Sequence, residues 1–358
     1  MIRLSHVMSA LALGGTSLIA CGSRTGLLTD EAYDLQGGHS DAGDGAPCLG
    51  PEIPLELKAP NLYFALDHSS SMVQQSKWTN VRQVVSDLMM KLGAGARFGA
   101  TIFPSPGPDQ CAPGVEVMSL RQGDEQGVTA STFLSATSAR PNGGTPTAAT
   151  LEALVPKLSG LHGTTFVILA TDGGPNCNDT LFCAIDECTL NIDGAPNCPT
   201  DGSLNCCDPQ FNESIGCLDG AASANAVADL KAAGIETFVI GIPGSSPYGP
   251  VLDEMATAGG SARSTAPRYY RVDTADTTAL TAAFESIAAQ TGAGCAFTLA
   301  HAPADDNAVR VSVSGAPVPR SGADGWSVAG TTLTFGGASC DAVRAAGAMS
   351  AHLVACGG

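Results

Sequence analysis

Three separated segments carry the groups in this sequence that can do chemistry. Asp67-His68-Ser69-Ser70-Ser71 sets one carboxylate and two hydroxyls, those of Asp67, Ser69 and Ser71, at alternate positions. Gly143-Gly144-Thr145-Pro146-Thr147 adds the hydroxyl of Thr145 in a glycine-containing loop, and Thr171-Asp172-Gly173 adds a second carboxylate, Asp172. Donors that are all oxygen suit a hard divalent cation, Mg²⁺ first, with Mn²⁺ or Ca²⁺ as alternatives. With few protein carboxylates, such an ion keeps positions for water or for an oxygen from a partner. Each piece alone has a simpler reading: Asp67 or Ser69 as a helix cap, Gly143-Gly144 and Asp172-Gly173 as turns. Their order, and their places at the ends of strands, set the combination apart.

Those strands follow from hydrophobic patterning. Leu62–Leu66 is a continuous apolar run, as a strand buried on both faces requires. Val81, Val84, Val85, Leu88 and Leu92 then recur at helical spacing. A strand over Phe98–Phe103, a helix carrying Leu151, Leu154, Val155 and Leu158, and a second buried strand, Phe166–Ala170, follow. Beyond an irregular insert come a helix over Asp219–Ala233, a strand over Ile235–Ile242, a helix over Val251–Ala258, a strand over Tyr269–Val272 and a helix over Thr277–Thr291. Alternation of this kind predicts an α/β fold: a doubly wound, mostly parallel sheet with helices on both faces. In such sheets ligands bind at the carboxyl ends of the strands, near a topological switch point.

The constellation resembles the von Willebrand factor type A (vWA) domain and its metal-ion-dependent adhesion site. The D-x-S-x-S motif falls on Asp67, Ser69 and Ser71, the family's threonine on Thr145 and its second aspartate on Asp172, over roughly residues 58–292. The resemblance implies that Ser69 and Ser71 ligate the metal directly and that Thr145 does so directly or through water. It implies that Asp67 and Asp172 hold the coordinating waters. Ser70 stands where many members carry glycine, which serine tolerates if its φ stays negative. His68 is set aside as a packed or solvated side chain.

The amino-terminal residues set the expected compartment. A basic start at Arg3 and an apolar stretch from Val7 to Ala20 describe an export signal over residues 1–20, too short for a membrane span. Leu18-Ile19-Ala20-Cys21 resembles a bacterial lipobox, in which the chain is cut before a cysteine that then carries lipid. Cys21 is the expected lipidation site, anchoring the protein to a membrane surface rather than through it. Gly22, in place of an aspartate, points to the outer rather than the inner membrane of the cell envelope. Residues 21–47, rich in Gly, Asp, Ser and Thr, read as a flexible tether.

Of 358 residues, 13 are cysteines. With Cys21 committed to lipid, an even number remains, and export favours disulfides over zinc thiolates. The body of the fold is expected over 48–294. It is interrupted at 173–218 by an insert that is acidic, free of Lys and Arg, and too poor in apolar residues to form its own core. Cys111 and Cys177 both fall on the face of the candidate site, so a Cys111–Cys177 bridge is expected. Cys48–Cys295 would join the two ends of the fold, and Cys340–Cys356 would close the tail. Residues 295–358, with alternating Val309, Val311 and Val313 and a strand-like Thr331–Phe335, read as a small β-rich module with Trp326 and Phe335 in its core.

A formal net charge of −17 sets nucleic acid aside as a partner. Hydrophobic residues at 44% exclude a wholly disordered acidic chain. No Ser/His/Asp arrangement, H-E-x-x-H or phosphate-binding loop is present, and His39, His162, His301 and His352 fall in unrelated contexts. The chain is therefore expected not to be an enzyme and not to take a small-molecule substrate. The function expected is metal-dependent protein binding, with a carboxylate from a protein ligand completing the metal's shell. The alternative is a non-enzymatic scaffold or assembly subunit of a cell-envelope complex. Metal-assisted hydrolysis would need a general base beside an activated water.

Overall fold

The computed structural model describes residues 50–181, 217–274, 276–320, 323–346 and 350–355. The export signal, Cys21, the tether, Cys48, Cys356 and most of the Cys-rich insert lie outside the described residues. Among those described, no helix is long and apolar enough to cross a membrane.

The elements run in the order β1 (Leu55–Leu57), β2 (Asn61–Asp67), α1 (Lys77–Leu92), β3 (Arg97–Phe103), β4 (Val115–Gln122), α2 (Val128–Ala136), α3 (Thr147–Leu158) and β5 (Thr165–Thr171). After the insert come α4 (Gly220–Ala232), β6 (Glu236–Gly241), α5 (Gly249–Ala258), β7 (Tyr270–Arg271) and α6 (Thr277–Gln290). The tail contributes β8 (Ala296–Leu299), β9 (Val309–Val313), β10 (Ala316–Val318), β11 (Trp326–Ala329), β12 (Thr332–Phe335), α7 (Gly337–Ala346) and β13 (Ala351–Ala355).

Six strands form the central sheet in the order β4-β3-β2-β5-β6-β7. All neighbours are parallel except β3 and β4, whose antiparallel pairing includes register shifts around Ala100. Alternate side chains of one strand supply two cores, because successive residues point to opposite faces. Leu62, Phe64 and Leu66 pack with residues of α1, α2 and α6 on one face. Tyr63 and Ala65 pack with α3, α4 and α5 on the other. This double burial explains why β2 and β5 read as unbroken apolar runs. The chain leaves β2 for β3 on one side and β5 for β6 on the other, so a crevice opens between the carboxyl ends of β2 and β5.

The tail differs from its expectation in three respects. It is not built from residues after 294 alone: β1 pairs antiparallel with β8, so a segment that precedes the central sheet completes the tail's four-stranded sheet, β1-β8-β12-β11. It also contains a helix, α7, which packs with that sheet and with the three-stranded β10-β9-β13 around one core. Trp326 and Phe335 are both buried in this core. The disulfide is Cys295–Cys340, with a Cα separation of 5.2 Å, in place of the expected Cys48–Cys295 and Cys340–Cys356. The physical reason is α7. It buries Cys340 against the start of β8, where the Phe335 amide donates to the Cys295 carbonyl at 2.9 Å.

The helices of the first face are held mainly by apolar contact, and Phe284 of α6 is completely buried with its ring centroid 6.1 Å from that of Phe64. Phe284→Ala should lower the unfolding free energy by about 3–5 kcal/mol, through lost transfer energy and a residual cavity. Denaturant-induced unfolding measures this, and a change below about 1 kcal/mol would mean that α6 does not close this core.

Candidate functional site

The site stands where β2 and β5 end. Asp67 is the last residue of β2 and is fully buried. Its Oδ1 accepts the Ser69 amide at 2.8 Å and its Oδ2 accepts the Thr171 hydroxyl at 2.5 Å. The chain then turns so that the Ser69 and Ser71 hydroxyls face each other at 3.0 Å. Ser71 donates onward to Asp172 Oδ1 at 2.8 Å. One hydrogen-bonded chain of groups thus links Asp67, Ser69, Ser71 and Asp172 across the crevice. Ser69 and Asp172 are buried, whereas Ser71 is half-buried and Ser70 exposed, so the crevice meets solvent on the serine side.

The third segment is pinned to the first. Ser70 donates its amide to the Gly143 carbonyl and accepts the Gly143 amide on its hydroxyl, both at 2.9 Å. Ser70 is not among the residues with positive φ, so its side chain is accommodated where the family resemblance expects glycine. Gly143 itself has φ +89°, and a Cβ there would come within 2.6 Å of the Gln110 carbonyl oxygen. That carbonyl accepts the Gly144 amide at 2.8 Å. A Cys111–Cys177 disulfide, Cα atoms 5.3 Å apart, fastens the Gln110 loop to the segment after β5.

Thr145 is the informative residue. Its backbone is bracketed by Asn176, whose Oδ1 accepts the Thr145 amide at 2.6 Å and whose own amide donates to the Thr145 carbonyl at 3.0 Å. Its hydroxyl is buried and has no hydrogen-bond partner. A buried hydroxyl left unpaired costs free energy, so a site that holds one in place calls for an explanation. The nearest atom to a Cβ built on Gly173 is this Oγ1, at 3.7 Å, which puts it beside the Asp172–Gly173 turn.

The electrostatics point the same way. Burial, and next the charge of Asp172, push the Asp67 carboxyl up to about 7 despite the donors on it. Two buried carboxylates with hydroxyls around them and a spare buried oxygen fit a hard cation by the chemistry of the donor set. Among the described residues there is no group of three or more His, Cys, Asp and Glu suited to a metal, so any ion here relies on serine and threonine oxygens.

All five residues singled out in the sequence thus lie at one end of the central sheet. Residues that the sequence reading passed over support them: Thr171 and Asn176 as above, and Lys77. The Lys77 ammonium is buried and bonds to Asp172 Oδ2. A signal for it exists in the sequence, because Lys77 lies one helical turn ahead of Val81 and two ahead of Val84 and so extends their buried stripe. His68 is buried beside the motif: its Nε2 donates to the Ala139 carbonyl at 3.1 Å, its ring meets Trp78 edge to face, and its Nδ1 has no hydrogen-bond partner.

No family model and no curated protein matches the chain. Among solved structures it is similar to the pilus adhesin SpaC from Lactobacillus rhamnosus GG in its open conformation. There the identity is 17% over 83% of this chain and 38% of that one, with a TM-score of 0.48. It is also similar to the PilB minor pilin from Streptococcus sanguinis, at 16% identity over 65% of this chain and 61% of the pilin, TM-score 0.45. A third is the vWF domain of the type V pili tip protein Mfa5 from Porphyromonas gingivalis, at 13% identity over 65% of this chain and 94% of that domain, TM-score 0.44. The chain therefore spans about two-fifths of the adhesin and three-fifths of the minor pilin. Likeness at this level says nothing of what the chain binds.

The raised Asp67 carboxyl has a consequence for the metal-free protein. A group whose folded pKa lies above its unfolded value of about 4 binds its proton more tightly when folded. Its ionisation therefore costs stability increasingly as pH rises from about 4 towards 7. Asp67→Asn keeps an acceptor for the Ser69 amide and removes the charge. In chelator at pH 8 it should raise the midpoint of thermal unfolding, and the gain should vanish near pH 4. An equal or lower midpoint at pH 8 would show that the buried charge is not a liability.

Proposed function

We propose that this chain is an exported, lipid-anchored, metal-dependent protein-binding module of the vWA type, with Mg²⁺ as the working ion. The observation that carries the reading is the buried Thr145 hydroxyl, unpaired beside two buried carboxylates and a pair of serine hydroxyls. Ser69 and Ser71 would hold the ion directly, Thr145 directly or through water, and Asp67 and Asp172 would hold its waters. When bound, the ion supplies a positive centre to which a carboxylate oxygen of a protein partner can attach.

The chain's own residues do the rest. Asp67 orients the Ser69 amide and so the serine turn. Ser70 and Gly143 lock that turn to the threonine loop. Asn176 fixes the backbone of Thr145 and leaves its hydroxyl uncommitted. Solvent-side access over Ser70 and Ser71 gives a partner's side chain a route of approach. Val73, which follows the serines, is 41% exposed and offers an apolar rim. The role we read here is one of binding rather than catalysis.

Calorimetric titration with Mg²⁺ tests the reading. The wild-type chain should bind one ion, Thr145→Ala and Ser71→Ala should each weaken it by roughly tenfold or more, and Asp67→Ala should abolish it. Envelope proteins retained by the immobilised chain should be lost in chelator and with Asp67→Ala. A chain that takes up no Mg²⁺ or Mn²⁺ at pH 8 removes the metal from the mechanism.

A further inference from the structure

Lys77 is the one cation at the candidate site among the described residues, and its position is built rather than incidental. It is the first residue of α1, and its side chain is only 6% exposed. Its ammonium donates to Asp172 Oδ2 and, at 3.0 Å, to the Pro243 carbonyl in the loop that follows β6. That loop closes over the amine through Gly244 at φ +115°, where a Cβ would come within 2.9 Å of the Asp172 carbonyl oxygen and 3.3 Å of the Lys77 nitrogen. Two residues with left-handed backbone, Gln75 (φ 53°) and Ser76 (φ 58°), precede it and set the start of α1. Non-glycine residues adopt that region at a cost, which here delivers the lysine to the crevice.

The two oxygens of Asp172 are thereby divided. Oδ2 belongs to Lys77, and Oδ1 takes the Ser71 hydroxyl. The ammonium both turns the carboxylate towards the serines and cancels one of the two negative charges at the site. We infer that Lys77 is a resident counter-cation: it holds Asp172 in place in the metal-free chain and lowers the site's affinity for a divalent ion. This inference rests on the metal-binding reading above. A like charge fixed on Asp172 repels a cation held at the same site, most strongly in a buried setting, where screening is weak. The site that results is ordered before the ion arrives, and once loaded it is left with a surplus of positive charge for an anionic ligand.

The test is Mn²⁺ titration by calorimetry at pH 8 on the wild-type chain, Lys77→Met and Lys77→Gln, with thermal unfolding of each in chelator. Methionine keeps the buried stem, and glutamine keeps a donor, so at least one uncharged variant is expected to fold. The expected result is crossed: lower midpoints of unfolding without metal, because Asp172 loses its partner, together with Mn²⁺ binding tighter by about tenfold or more. Unchanged or weaker Mn²⁺ binding in a folded variant overturns the inference and leaves the metal site standing. Absence of Mn²⁺ binding in the wild-type chain and both variants defeats the metal reading itself, and this inference with it.

Discussion

Asp67 and Asp172 are both buried, at the ends of adjoining parallel strands, and like charges taken out of water together are expensive. Most of what surrounds them is explained as compensation for that placement. Asp67 accepts a backbone amide and the Thr171 hydroxyl, and Asp172 accepts a serine hydroxyl and an ammonium. Compensation remains incomplete, because the Asp67 carboxyl still stands near 7 and the Thr145 hydroxyl still lacks a partner. A residual deficit of positive charge next to an unpaired buried hydroxyl, at the sheet's switch point, is what the proposed cation would make good.

The rigidity of the arrangement comes from cross-ties between loops. The serine turn, the Gly143–Thr145 loop and the segment after β5 lie far apart in sequence. They are held by Ser70–Gly143 contacts, by the Asn176 bracket and by the Cys111–Cys177 disulfide. Each tie acts on backbone, so side-chain oxygens can be aimed without being consumed. Asn176 shows the principle: it satisfies both backbone groups of Thr145, and the hydroxyl is left over. The disulfide closes a loop of 66 residues, which restricts the unfolded chain as well as positioning Gln110 beside Gly144.

The central sheet and the gathering of the five candidate residues at its carboxyl end were legible because their signals are local. Strands buried on both faces give apolar runs, amphipathic helices give a period, and a motif at a strand end gives its own spacing. What escaped was non-local. Lys77 extends the buried stripe of α1 in the sequence, but its partners, the end of β5 and the loop after β6, meet it only in the tertiary structure. Asn176 reads as loop punctuation until Thr145 is seen between its two groups. The pairing of Cys295 with Cys340 depends on α7, whose Gly337-Ala338-Ser339 opening gives little periodic signal. β1 is three residues long, too short to declare its partner, and it pairs with a strand more than two hundred residues later.

That long-range pairing determines how the site is presented. β1 lies just before the start of β2, and the Gly294 amide, four residues beyond α6, donates to the Gly95 carbonyl just before β3 at 2.9 Å. Arg344 of α7 reinforces the join by donating to the Ala293 carbonyl at 2.7 and 2.9 Å. The tail module is therefore attached at the amino ends of the central strands, and the carboxylates lie at the carboxyl ends. Residues at the beginning of the described chain belong to the same module, where the Ala355 amide donates to the Pro51 carbonyl at 3.1 Å. Attachment at the amino ends keeps the module away from the loops around Asp67, Thr145 and Asp172 at the carboxyl ends.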